Sequence, residues 1–96
     1  MLTARATICN KKGLHARAAA KVVKLANSYD AQLHVARLSR DGTTEEARAG
    51  GTSILSLLML AAENGVTVAL HSDGPQAQEA LDSLVELISR RFGEDE

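Results

Sequence analysis

Tryptophan is absent from this 96-residue chain, and phenylalanine and tyrosine occur once each. A nucleic-acid reader needs aromatic faces for stacking or a basic footprint for phosphates, and a net charge of −1 supplies no such footprint. Nucleic acid is therefore not an expected partner. Cys9 is the only cysteine, so no internal disulfide can form and no thiolate metal site can be completed. It reads as small apolar filler near a strand end. No apolar tract approaches the roughly 18 residues of a membrane span. The N-terminal "MLTARATICNKK" lacks the long apolar run of a signal peptide. No membrane contact is expected, and the expected location is cytoplasmic. With 45% apolar and 24% charged residues, the chain reads as one globular domain, 1–96, able to bury a modest core.

What is present is an alternation of strand and helix periods. In "LTARATIC" Leu2, Ala4, Ala6 and Ile8 share one face, the mark of a strand with one buried side. After a turn at Gly13, residues Ala19, Val22, Val23, Ala26 and Tyr29 follow helical spacing, which predicts a helix from Ala16 to about Asn27 with His15 as its N-cap. "DAQLHVARL" alternates again, with Leu33 and Val35 opposite Gln32 and His34. A turn at Asp41-Gly42 and a short returning strand from Thr44 to Ala49 follow. "TSILSLLMLAAENG" has a Ser/Thr start, a dense apolar run and Gly65 as a C′ stop, the pattern of a short helix. "VTVAL" alternates as a strand. The closing helix opens near Pro75 and carries the stripe Ala77, Leu81, Leu84, Val85 and Ile88.

The order β-α-β-β-α-β-α predicts an α+β open-faced sandwich: four antiparallel strands with three helices on one face. His34 and His71 fall on the polar phase of their strands and are expected to face solvent. Neither has the further ligands that a metal site needs.

His15 has a different setting. It stands at a helix N-terminus, beside unpaired backbone N–H groups and the positive end of the helix dipole, an arrangement that attracts an anion and favours a neutral ring. Two residues on, Arg17 offers a planar fork of donors that matches a phosphate. A nucleophilic ring, backbone donors at Ala16 and Arg17, and a guanidinium within three residues suit a phosphoryl group carried on the histidine. They equally suit a histidine that merely caps a helix beside a solvated arginine.

"GLHARAAAKVV", followed by "GTSILSLLMLAAENG" and "GPQAQEAL", closely resembles the HPr family, the histidine-containing phosphocarriers of the bacterial phosphoenolpyruvate-dependent phosphotransferase system. The resemblance covers nearly the whole chain. It implies that His15 takes a phosphoryl group from enzyme I on Nδ1 and passes it to an enzyme IIA, with Arg17 helping to hold it. The implied role is that of a carrier, not an enzyme, with no cofactor and no metal, and the carrier is expected to be a monomer. Three departures stand out. Members usually have proline where Ala18 stands, and alanine there adds an N–H at the cost of a less rigid first turn. Lys11 and Lys12 add positive charge where small or uncharged residues are common. The stretch from Arg37 to Arg48 is longer than the usual hairpin and reads as an extended surface turn.

The second helix is apolar almost all round, more than one core-facing stripe requires. Leu57, Leu60 and Ala61 suit the buried side, and Ile54, Leu55 and Leu58 suit a surface for docking enzyme I and the IIA proteins; deeper burial of the helix is the alternative. Ser53 matches the serine phosphorylated by HPr kinase/phosphorylase in bacteria that have it. A phosphate there would add negative charge beside the docking face, but N-capping alone also explains a serine. Two other readings remain open, a regulatory module of the same fold that docks without carrying phosphate, and a small-ligand or enzyme domain on the same topology. The sequence leaves open whether the branch served is sugar uptake or nitrogen-related regulation.

Overall fold

A computed structural model describes residues 1–95. The elements run β1 (Leu2–Thr7), α1 (Ala16–Asn27), β2 (Gln32–Leu38), β3 (Glu45–Gly50), α2 (Ile54–Met59), β4 (Thr67–Asp73) and α3 (Ala77–Ser89). All strand pairs are antiparallel, in the order β1-β4-β2-β3. The architecture is the open-faced α+β sandwich that the alternating periods predict.

Register explains which side chains meet the helices. The row Ala4, Leu70, Val35 and Ala49 lies across the four strands and faces the core, as Val68 does. Against it pack Ala18, Ala19, Val22 and Ala26 from α1, Leu57 from α2, and Ala80, Leu81, Leu84 and Ile88 from α3. Each of the larger side chains contributes about 1.5–3 kcal/mol by leaving water. On the opposite face Ala36, Leu38 and Ala69 form a small second cluster. Central β4 is therefore buried on both faces, with Val68, Ala69 and Leu70 at its middle and the polar His71 and Ser72 buried beside them.

Several local expectations are corrected. Helix α2 stops at Met59, with Leu60 as C-cap, so Gly65 is not its C′ residue; Gly65 instead donates its N–H to Ile8 O and begins the approach to β4. Ala61 is exposed with φ 51°, outside the helix rather than on its buried side. Arg37, reaching under the sheet, donates to the carbonyls of Leu60 and Ala61 and so supplies the positive charge that suits a helix C-terminus. Pro75 precedes the N-cap Gln76 of α3 instead of entering its first turn. Cys9 is exposed, its thiol directed at Ile88 O, and is not core filler. The long connection between β2 and β3 is a turn closed by Asp41, whose carboxylate accepts from Ser39 and Thr43 and is lowered to about 2 mainly by those bonds.

Candidate functional site

Residues 10–14 deliver the histidine. Gly13 has φ 67°, and a Cβ there would lie 2.6 Å from Ala62 O, so both the conformation and the space demand glycine. The amide of Leu14 then bonds Ala62 O at 2.9 Å, which ties this loop to the segment leaving α2. His15 follows as the N-cap of α1, with extended backbone and its own carbonyl accepting from Ala19 N.

The ring is gripped from both ends. Nδ1 accepts from the amide of Arg17 at 3.3 Å, and Nε2 meets Glu94 Oε2 at 2.5 Å. These partners decide the tautomer. A peptide N–H can only donate, so Nδ1 carries the lone pair; an ionised carboxylate can only accept, so Nε2 carries the hydrogen. The hydrogen bond from Asn10 is the main reason the Glu94 carboxyl is held below the usual carboxylate range, with the His15 bond and the charge of Lys12 adding to it. At 3.3 Å the Arg17 amide is a weak donor, so the Nδ1 lone pair stays available.

Arg17 is exposed and lines a cleft of about 350 Å³ with Lys11, Lys12, Lys21, Gly93, Glu94 and Asp95. Four basic side chains and two acidic ones thus line a cleft that meets the ring through Glu94, and the ring itself sits at the positive end of a twelve-residue helix. The site suits an anion delivered to Nδ1. Ala16, at N1, is exposed beside it, and Ala18 is fully buried.

Glu94 and Asn10 have no place in the sequence reading. Asn10 is buried and spends its amide on Gly13 O at 2.8 Å and on Glu94 Oε1 at 2.9 Å. Glu94 arrives by a turn in which Arg91, Phe92 and Gly93 all have positive φ. Two non-glycine residues there cost about 2–4 kcal/mol together, and full burial of the Phe92 ring returns about 1.5–3 kcal/mol. The available signal was the chain's one phenylalanine, set just past the last helical stripe and followed by glycine.

Of the remaining sequence candidates, Ser53 is the N-cap of α2, accepting from Ser56 N at 3.1 Å and donating to Ser56 Oγ at 3.0 Å. Ile54, Leu55 and Leu58 are 41%, 69% and 37% exposed, and Met59, which the sequence reading passed over, is 75% exposed. Leu57 and Leu60 are buried beneath them, so α2 does present an unburied apolar face. His34 is half-buried, but His71 is not the solvent-facing residue expected: it is 8% exposed. On the open face of the sheet its Nε2 meets Glu45 Oε2 at 2.6 Å and its Nδ1 lies 3.2 Å from Thr3 Oγ1, with Arg48 closing the group. Strand β1 supplies Thr3, and β3, one strand beyond the neighbouring β2, supplies Glu45 and Arg48, which strand phase alone does not reveal. Among the described residues no group of three or more His, Cys, Asp or Glu is placed to hold a metal ion, and no helix is long and apolar enough to cross a membrane.

Comparison with known proteins points one way. Residues 2–90 match the family model described as the PTS HPr component phosphorylation site. The chain is similar to phosphocarrier protein HPr of Cupriavidus necator, 48% identical over 96 residues and covering all of both chains. It is 40% identical to phosphocarrier protein NPr of Shewanella violacea, covering 97% of this chain and 94% of that one. Among solved structures, HPr-C-His from Thermoanaerobacter tengcongensis superposes with a TM-score of 0.83 at 33% identity over the full length of both chains.

Proposed function

Because the chain belongs to the HPr family of phosphotransferase-system phosphocarriers, we propose that His15 is the residue that carries the phosphoryl group, taking it on Nδ1 from phospho-enzyme I and passing it to an enzyme IIA. The observation that carries this reading is the pair of contacts on the ring, Arg17 N–H on Nδ1 and Glu94 on Nε2, which leaves a lone pair on Nδ1 at a helix N-terminus. As Nδ1 attacks, its electron pair forms the new bond to phosphorus and the donor's bond breaks. The dianionic group then lies where the Arg17 amide, the N-terminal turn at Ala16 and the guanidinium of Arg17 can meet it. The protein is a carrier: it holds and releases the group and turns over no substrate of its own.

Ile54, Leu55 and Leu58, with Met59 beside them, form the face that docks enzyme I and the IIA proteins, supported by their exposure above a buried Leu57. Ser53 is the regulatory phosphorylation site where an HPr kinase/phosphorylase is present. The proposed unit is a single domain, 1–96, acting as a cytoplasmic monomer. Resemblance to both an HPr and an NPr relative leaves sugar uptake and nitrogen-related regulation as the two branches it can serve. Incubation with phosphoenolpyruvate and enzyme I tests the reading. One phosphoryl group, labile in acid and stable in base, should appear and be lost in His15→Ala; an acid-stable label, or one retained in that variant, contradicts it.

A further inference from the structure

The family match ends at residue 90, and what reaches back to the histidine lies beyond it. We infer that the C-terminal turn Arg91–Gly93 is a positioning element for the phosphoryl-bearing ring: it delivers Glu94 to fix which ring nitrogen is free, and Lys21 and Asn10 hold Glu94 in place. Its effect on transfer rests on the carrier reading; its effect on the ring does not.

Three contacts close the turn. The Phe92 ring is fully buried in the core, the ammonium of Lys21 donates to the Phe92 carbonyl, and Gly93 N donates to Arg90 O at 2.9 Å. A Cβ at Gly93 would stand 3.2 Å from the Lys21 nitrogen, so the absence of a side chain leaves that ammonium its place. Asn10 joins the turn to the loop before the ring, since one amide group bonds both Gly13 O and Glu94 Oε1. Lys21 comes from α1, Asn10 from the loop after β1 and Phe92 from beyond α3. Three separate parts of the chain therefore meet at the turn, and Asn10 among them bonds the carboxylate itself.

The chemical consequence concerns proton bookkeeping. A ring with its hydrogen on Nδ1 must shed it before attacking phosphorus, whereas a ring with its hydrogen on Nε2 need not. In the second case the pair on Nδ1 forms the N–P bond, the ring becomes positively charged, and the Nε2 proton stays where Glu94 holds it. On delivery the N–P bond breaks, its pair returns to Nδ1 and the ring is neutral again. No proton enters or leaves. The carboxylate also offsets the charge that the ring bears while phosphorylated.

Ring-nitrogen NMR of the unphosphorylated protein tests this without any partner. Wild type should carry its hydrogen on Nε2; Glu94→Ala should lower the ratio of Nε2–H to Nδ1–H forms about tenfold; Lys21→Met should move it the same way by less. Glu94→Gln keeps an acceptor and should hold the ratio nearer to wild type than Glu94→Ala does. Identical ring patterns in wild type, Glu94→Ala and Lys21→Met would overturn the inference. So would an altered ratio in Glu94→Ala combined with phosphorylation by enzyme I at the wild-type rate. If enzyme I labels none of these proteins, wild type included, the carrier reading fails while the NMR result still decides the role of the turn.

Discussion

His15 and His71 have nearly the same immediate partners. Each gives Nε2 to a glutamate, Glu94 at 2.5 Å and Glu45 at 2.6 Å, and each has a polar partner facing Nδ1, the Arg17 amide at 3.3 Å and the Thr3 hydroxyl at 3.2 Å. Both carboxyls are held below the usual glutamate range, Glu94 chiefly by Asn10 and Glu45 chiefly by Arg48 and then His71. A histidine–carboxylate pair is thus not in itself a functional site. The surroundings separate the two. The side chain of His71 is 10% exposed in the middle of a sheet, and its Arg48 partner is already spent on Glu45 at 2.8 Å. The side chain of His15 is 26% exposed, at the positive end of a helix and beside a basic cleft. One arrangement ties strands together; the other leaves a nucleophile within reach of an anion.

The sharpest way to break this contrast is to remove each ring in turn. His71→Ala should keep the full phosphoryl label and lose roughly 1–3 kcal/mol of stability, because Thr3 loses its ring partner and Glu45 keeps only Arg48. His15→Ala should lose the label entirely and, as a lost N-cap, about 0.5–2 kcal/mol of stability. Loss of label from His71→Ala would mean that the two rings had been assigned the wrong roles. The arginines extend the comparison. Arg17→Ala should slow transfer about tenfold, equivalent to about 1.4 kcal/mol in the barrier, with unchanged stability. Arg48→Ala should leave transfer untouched in the same assay and lower the melting temperature.

The proposed docking face on α2 belongs to the His15 side of the comparison. Leu55→Glu should weaken enzyme I binding by more than about 1 kcal/mol while changing stability by under about 0.5 kcal/mol; a large drop in melting temperature would put Leu55 in the core. Ser53→Asp should slow phosphorylation of His15 by a few-fold with the fold intact, since aspartate caps a helix as well as serine does. An unchanged rate would leave Ser53 only its cap. The smallest effect is on acid stability. Both glutamates bind protons more readily in the unfolded chain than in the folded one, so the stability they contribute is present above the unfolded glutamate value of about 4.5 and is lost as pH falls through their lowered values. Glu45→Gln should flatten that part of the stability profile, and a profile as steep as wild type would show that Glu45 does not drive it.

What was legible in the sequence was whatever repeats at short range. Alternation in "LTARATIC" and "DAQLHVARL" marks the strands, the Ala19 and Val22 stripe marks α1, and the polar caps His15 and Ser53 mark where helices begin, because each depends on residues a few positions apart. Leu55 and Leu58 were legible as excess apolar surface for the same reason. The failures are contacts made across the chain. Glu94 meets His15 from 79 positions away, and Glu45 meets His71 from 26. Strand phase placed the ring of His71 on the open face but could not reveal that Thr3, Glu45 and Arg48 converge over it. Gly65 failed differently: the apolar run of α2 continues past its last helical residue, so composition overstated the helix and moved its stop signal.

The central claim is that the phosphoryl group sits on Nδ1 of His15, the nitrogen that Glu94 leaves free. Phosphorus–nitrogen coupling in the ¹⁵N-labelled protein, phosphorylated by phosphoenolpyruvate and enzyme I, reads that atom directly. Coupling to Nδ1 of His15, with Nε2 still bearing its hydrogen, is the predicted result; coupling to Nε2, or to a nitrogen of His34 or His71, would contradict it.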